Sequence, residues 1–140
     1  KQGFNYDEVW SLMPCSPLID DKDLKKIASF YDKKYSKRPL LSISRYKVPV
    51  EWAYRIEKKN NIKPINIKFH KLRSQDLPAS YFDAGQFVIF PIKYIKTESF
   101  SKRITSFLGY ILPPEKSIDI DLEEDWKLAE IIYKGLNKNL

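Results

Sequence analysis

Apolar residues gather first in Asp7-Glu8-Val9-Trp10-Ser11-Leu12-Met13, a short run that reads as a buried strand and is closed by the turn-forming Pro14-Cys15-Ser16-Pro17. The period then changes. Leu24, Ile27, Phe30 and Tyr31 recur at three-to-four spacing and predict a helix through about Lys34, capped by Asp20 or Asp21. Leu40-Leu41-Ser42-Ile43-Ser44, after Pro39, is a second buried strand, and βαβ order predicts that it runs parallel to the first. Trp52-Ala53-Tyr54-Arg55-Ile56 and Ile65-Asn66-Ile67-Lys68-Phe69 read as strands about a turn-prone Lys58-Lys59-Asn60-Asn61, a β-hairpin projecting from the sheet. Gly85-Gln86-Phe87-Val88-Ile89-Phe90 is a further apolar strand, closed by Pro91 and followed by a short helix or irregular stretch to about Phe107. Tyr110-Ile111-Leu112 is the next strand, ended by Pro113-Pro114. A last helix from about Leu122 to Leu136 places Trp126, Ala129, Ile132 and Tyr133 on one apolar face. The whole is an α/β pattern without internal repeats.

Composition narrows the partners. At 140 residues and 43% hydrophobic content the chain can bury one core, so it reads as one domain or part of one. The single cysteine, Cys15, excludes an internal disulfide framework and lacks zinc-site spacing, which points to a reducing, cytoplasmic setting. No apolar run approaches the roughly 20 residues of a membrane span, and the first residues lack a signal peptide's apolar core. The net charge of +7 favours anionic partners. The lysines are scattered over segments of different type, with no basic helix and no aromatic RNA-binding strand, so no nucleic-acid partner is expected. No Walker pattern and no GxGxxG occurs, and only four glycines are present. A nucleotide's phosphate grip, if one is used, would lie outside this chain.

Ser117-Ile118-Asp119-Ile120-Asp121 is the most chemical stretch. In an extended chain Asp119 and Asp121 point to one side with Cα atoms roughly 6 to 7 Å apart, while Ile118 and Ile120 point into the core. Such a pair suits Mg²⁺, which takes one or two carboxylates and completes its shell with waters and substrate phosphates. Asp121 followed by Glu124 is equally a capping box for the last helix, which leaves Asp119 unassigned. His70 has no nucleophile or acid at recognisable spacing and Cys15 follows a strand, so both read as structural, and no catalytic residue is assigned.

Arg73-Ser74-Gln75-Asp76-Leu77-Pro78, then Asp83-Ala84-Gly85-Gln86-Phe87, resembles the central signature of pseudaminic acid cytidylyltransferases. Tyr110-Ile111-Leu112-Pro113, Ile118-Asp119-Ile120-Asp121, Glu124-Asp125-Trp126 and Ala129-Glu130 resemble the closing segment of acylneuraminate cytidylyltransferases. Ser11-Leu12-Met13-Pro14-Cys15-Ser16-Pro17-Leu18 is similar to their Leu-Gln-Pro-Thr-Ser-Pro-Leu loop. The matches fall in the family's order and cover nearly the whole chain.

The resemblance implies an incomplete, Rossmann-like nucleotidyltransferase sheet, the C-terminal part of one domain over residues 1–140, with an extension from about residue 45 to 80 used for homodimerisation. It implies transfer from CTP to a nine-carbon keto sugar acid, giving CMP-sugar and pyrophosphate, with Mg²⁺ as cofactor and Asp119 and Asp121 as its ligands. Arg73 and Gln75 would meet the sugar or its carboxylate, though a surface salt bridge equally explains the arginine. Gly85 would admit close backbone approach, or serve simply as a strand-entry glycine, and Gln86 would hydrogen-bond the sugar. Met13 and Cys15 stand where sialic acid enzymes carry Gln and Thr, which disfavours sialic acid itself; Val88 stands where the family places Tyr, and Leu122 where it places Thr, a change that bears on capping more than on metal binding. The family's opening Ala-Arg-x-x-Ser-Lys-x-x-x-x-Lys-Asn segment, which holds CTP, is absent, so this piece alone is expected to be inactive. A non-catalytic dimerisation or sugar-binding remnant is the alternative.

Overall fold

The computed structural model describes residues 5–34, 38–97, 99 and 106–137. The chain divides into two compact units, one built from residues up to Ser44 and from Asp83 onward, the other from Arg45–Phe82.

The first unit is a sheet with helices. Its strands are β1 (Glu8–Leu12), β2 (Leu40–Arg45), β5 (Tyr81–Pro91) and β6 (Leu108–Ile111), in the spatial order β1-β5-β2-β6. Its helices are α1 (Asp21–Lys34), α2 (Ile92–Thr97) and α3 (Glu123–Leu136). β1 pairs antiparallel with β5, with Leu12 opposite Phe87, and β2 pairs parallel with β6. Ser42 lies against Gln86 and Phe87, while Tyr46, further along the chain, bonds Ser80, further back, so β5 runs against β2. β1 and β2 therefore share a direction, as βαβ order predicts, but they are not neighbours: β5 is inserted between them. The expected stretch after Pro91 is helical through Thr97, and residues 98 and 100–105 of it lie outside the described residues.

The core follows from the apolar faces of these elements. Ile27 and Tyr31 of α1 close over Leu40, Ala84, Phe87, Ile89 and Leu112, with Trp10, Leu24 and Tyr110 at the margin. Tyr31 is the largest fully buried side chain; its hydroxyl donates to the Arg38 carbonyl at 2.9 Å, and burial pushes its pKa up to about 12. Phe30 and Tyr110 meet edge to face at 5.2 Å.

Helix α1 is capped reciprocally. The Asp23 amide donates to Asp20 Oδ1 at 2.9 Å and the Asp20 amide to Asp23 Oδ2 at 3.1 Å, so Asp20, not Asp21, is the cap. The Lys116 ammonium bonds both carboxylates, that of Asp20 at 2.9 Å.

Helix α3 begins differently from the expected Asp121–Glu124 box. Its N-cap is Leu122, which has no side-chain acceptor, and Asp125 reaches back to the Leu122 amide at 2.8 Å and the Asp121 amide at 3.2 Å. Half of a capping box survives, supplied from inside the helix. The expected apolar face of α3 is buried only at Ala129; Trp126 and Tyr133 are each more than half exposed.

The second unit is a short hairpin with tight turns. β3 (Tyr54–Ile56) pairs antiparallel with β4 (Ile62–Pro64), setting Ile56 opposite Ile62. The pairing falls nearer the turn than the expected Ile65–Phe69. Lys59 and Asn60 are both left-handed, which reverses the chain within a few residues and brings the adjoining segments into register at once. Ile67–Phe69 is a 3₁₀ turn instead, with the Asn66 side chain accepting from the Lys68 amide at 3.3 Å.

One consequence can be read in acid. The Lys116 ammonium, and then the Asp23 amide, hold the Asp20 carboxyl down to about 2 from an ordinary 3.8. A depressed carboxyl stabilises the fold above its unfolded value, and that contribution disappears as pH falls from 3.8 toward 2. The thermal midpoint followed by circular dichroism should fall across this window, and Asp20→Asn should flatten that part of the profile while lowering the midpoint at neutral pH.

Candidate functional site

Three of the motifs picked out in the sequence meet in the first unit, and they meet on Gln86. Its carbonyl accepts the Met13 amide at 3.0 Å and the Ser16 hydroxyl at 3.1 Å, which ties the Pro14–Pro17 loop to β5. Its side-chain amide donates to the Ala84 carbonyl at 2.7 Å and the Ile118 carbonyl at 3.0 Å, which ties down the segment carrying Asp119. Its backbone amide donates to Ser42 Oγ at 3.2 Å, and the next amide, of Phe87, donates to the same oxygen at 3.1 Å. Two consecutive amides aimed at one hydroxyl mark an irregularity of the bulge kind, and the burial pattern agrees: Ala84 and Gln86 are buried, then Phe87 and Ile89, so the alternation slips by one residue.

Gly85 makes this slip possible. Its φ is +64°, a left-handed conformation that side chains disfavour, and a Cβ placed there would stand 2.3 Å from Asp119 Oδ2. The other Asp119 oxygen, Oδ1, accepts the Cys15 thiol at 2.8 Å. The Cys15 pKa is raised, first by this hydrogen bond, then by burial and by the Asp119 charge. Asp119 is thus seated between Cys15 and Gly85.

Asp121 is exposed, and among the described residues its carboxylate takes no hydrogen bond or ion pair. The segment between is irregular rather than a strand, and Ile118 and Ile120 are half-buried, not core residues as strand geometry had implied. It is nevertheless held at several points: the Lys116 ammonium by Asp20 and Asp23, the Ile118 carbonyl by Gln86, and the Asp121 and Leu122 amides by Asp125. Among the described residues no group of three or more His, Cys, Asp and Glu could hold a metal ion. Two hard carboxylates without further protein donors match Mg²⁺, which leaves the rest of its shell to water and phosphate, better than they match a structural zinc.

Gln86 is fully buried and its amide nitrogen is committed to the Ala84 and Ile118 carbonyls. Its Oε1 has no donor among the described residues and is its one open hydrogen-bonding atom. Arg73 and Gln75 belong to the second unit. Arg73 is paired at both ends with Asp76, Nε to Oδ2 at 2.9 Å and Nη2 to Oδ1 at 3.1 Å, in an exposed fork. Gln75 lines an open groove of about 290 Å³ together with Arg45, Lys47, Ser74 and Ser80. Of the residues around Asp119 and Gln86, Cys15 had been read only as structural and Ser42 only as part of a strand. Ser42 had a signal: it stands in period with Leu40 on the buried face of β2, where a polar residue needs a reason.

A mixed α/β sheet is compatible with a nucleotidyltransferase-like fold. No family model matches the chain. Two pseudaminic acid cytidylyltransferases of Campylobacter jejuni subsp. jejuni, from serotypes O:23/36 and O:2, are each 31% identical to it over 129 residues, 92% of this chain and 55% of the relative. An N-acylneuraminate cytidylyltransferase of Escherichia coli O18:K1:H7 is 22% identical over 134 residues, 96% of this chain and 32% of the relative. Over nearly its whole length the chain is similar to pseudaminic acid and acylneuraminate cytidylyltransferases, and it spans about half the length of the Campylobacter relatives it matches.

Two substitutions test the seat itself. Ser42→Ala leaves two buried amides without an acceptor and should lower unfolding stability in urea by about 1–3 kcal/mol. Gly85→Ala should cost a similar amount, about 1–3 kcal/mol, because the left-handed backbone and the Asp119 carboxylate both oppose a side chain.

Proposed function

We propose that the chain is part of a CMP-sugar synthetase that joins CTP to a nonulosonic acid of the pseudaminic acid kind, releasing pyrophosphate. The observation that carries this is the seating of Asp119 against Cys15 and Gly85, with Asp121 unpaired nearby in sequence, inside motifs aligned with cytidylyltransferases. Asp119 and Asp121 would hold Mg²⁺, which when bound neutralises phosphate charge on the nucleotide and leaving pyrophosphate. The protein's own part is positioning: Gln86 and the anchored 116–122 segment fix the backbone that carries both carboxylates. In the second unit Gln75 and the cations of its groove, Arg45 and Lys47, suit a sugar carboxylate; neither cation has an ion pair among the described residues. Arg73, neutralised by Asp76, would have to exchange that partner to do the same.

Homodimerisation belongs to the same proposal. The Arg45–Phe82 unit exposes Ile56 and Ile62 on its small hairpin and Ile67 on the 3₁₀ turn that follows, each more than 60% accessible, a surface that a second copy would cover. No described helix is long and apolar enough to cross a membrane.

Pyrophosphate release from CTP and pseudaminic acid is the deciding assay, run on the whole reading frame that carries this chain. Asp119→Asn and Asp121→Asn should each lower turnover by on the order of 10²-fold with the fold intact. Sugar binding without any pyrophosphate release, by the wild type as well, would favour the binding or dimerisation reading instead. Ile56→Lys should shift the sedimentation coefficient from that of a dimer toward that of a monomer; an unchanged value would remove the hairpin from the interface.

A further inference from the structure

Cys15 occupies the position at which the resembling loops carry a threonine, and nothing so far gives it a task. Its surroundings are well fixed. The loop it sits on is bracketed by Pro14 and Pro17 and fastened to the Gln86 carbonyl on both sides of the cysteine, by the Met13 amide and the Ser16 hydroxyl. From that platform the thiol meets Asp119 Oδ1, across 104 residues of sequence. Cys15 is half-buried, lies outside the apolar core cluster and forms no disulfide, so packing alone does not account for its contact with a carboxylate.

The carboxylate it meets would otherwise be free to turn. Asp119 lies on irregular backbone and has two constraints on its head: the thiol at Oδ1, and the bare Cα of Gly85 beside Oδ2. Remove the thiol and one constraint remains. Outer-shell donors that orient a ligating carboxylate change metal affinity by roughly 10- to 100-fold when deleted.

We infer that Cys15 is a positioning residue whose thiol, by donating to Asp119 Oδ1, holds the Asp119 carboxylate in the orientation that receives a divalent cation. The inference rests on the proposal that Asp119 is a cation ligand. It makes the thiol a stand-in for a hydroxyl: what the position requires is a hydrogen-bond donor of short reach, not sulfur chemistry.

Mn²⁺ binding to the 140-residue chain, read by the loss of the free-ion electron paramagnetic resonance signal, separates the two claims. Cys15→Ser should keep affinity within about twofold, because the donor is retained. Cys15→Ala should weaken it by about tenfold, with an unchanged circular dichroism spectrum. Asp119→Asn should abolish it. If Asp119→Asn binds like wild type, or the wild type takes up no Mn²⁺, the cation reading fails and the inference goes with it. If Asp119→Asn abolishes binding but Cys15→Ala leaves it unchanged, the cation reading stands and the positioning role is wrong. Should Cys15→Ser weaken binding as much as Cys15→Ala, the thiol acts otherwise than as a donor, and the inference is again overturned. Should Cys15→Ala lose its fold, Cys15→Ser carries the decision together with Cys15→Val, which fills the space and offers no donor.

Discussion

The first unit depends on the hydrogen bonds of one buried residue. Gln86 spends its carbonyl on the Pro14–Pro17 loop, its side-chain amide on the Asp119 segment, and its backbone amide on Ser42. Loops usually run over a surface because a buried loop strands backbone groups. Here two irregular segments approach the interior, and a glutamine side chain supplies the donor that one of them lacks. In a low-dielectric setting each of these bonds is worth more than it would be in water, and the loss of any partner is correspondingly costly.

The arrangement also explains how an irregular segment can present a carboxylate with definite orientation. Lys116, clasped by Asp20 and Asp23, fixes the entry to the segment, and Asp125 fixes its exit into α3. Between those points the Ile118 carbonyl is held and the Asp119 head is wedged. The charges that do this work lie on α1 and α3, elements whose first purpose is packing or capping. Site and scaffold share residues, so changes to the cap of α1 reach Asp119 through Lys116.

Much of this was legible in the sequence where one physical signal dominated. The helical period of Leu24, Ile27 and Tyr31 gave α1 with its true end, and apolar runs gave every strand of the main sheet near its place. The spacing of Asp119 and Asp121 marked the chemical segment, although its backbone is not the strand that the spacing assumed. What could not be read were features set by long-range partners. The insertion of β5 between β1 and β2 leaves no local trace. The hairpin's register followed from two left-handed residues, Lys59 and Asn60, of which only the asparagine favours that conformation. The capping of α3 went to Asp125 rather than Asp121, since either acid satisfies the local pattern. The resemblance assigned Gln86 a hydrogen bond to the sugar; in the structure its nitrogen is turned toward the Ala84 and Ile118 carbonyls, and its Oε1 has no donor among the described residues. Arg73 carried both a binding and a salt-bridge interpretation, and Asp76, three residues away, provides the pair.

The strand order has a bearing on how the chain comes to be folded. β1 is made before its neighbour in the sheet, β5, which follows only after α1, β2 and the whole Arg45–Phe82 unit have been made. That intervening unit closes over short sequence distances, as β3 and β4 do across a tight turn, and so can organise before the sheet does. β1, by contrast, must wait for the pairing that β5 supplies. During that interval the chain is most exposed to pairing with the wrong strand, its own or another's.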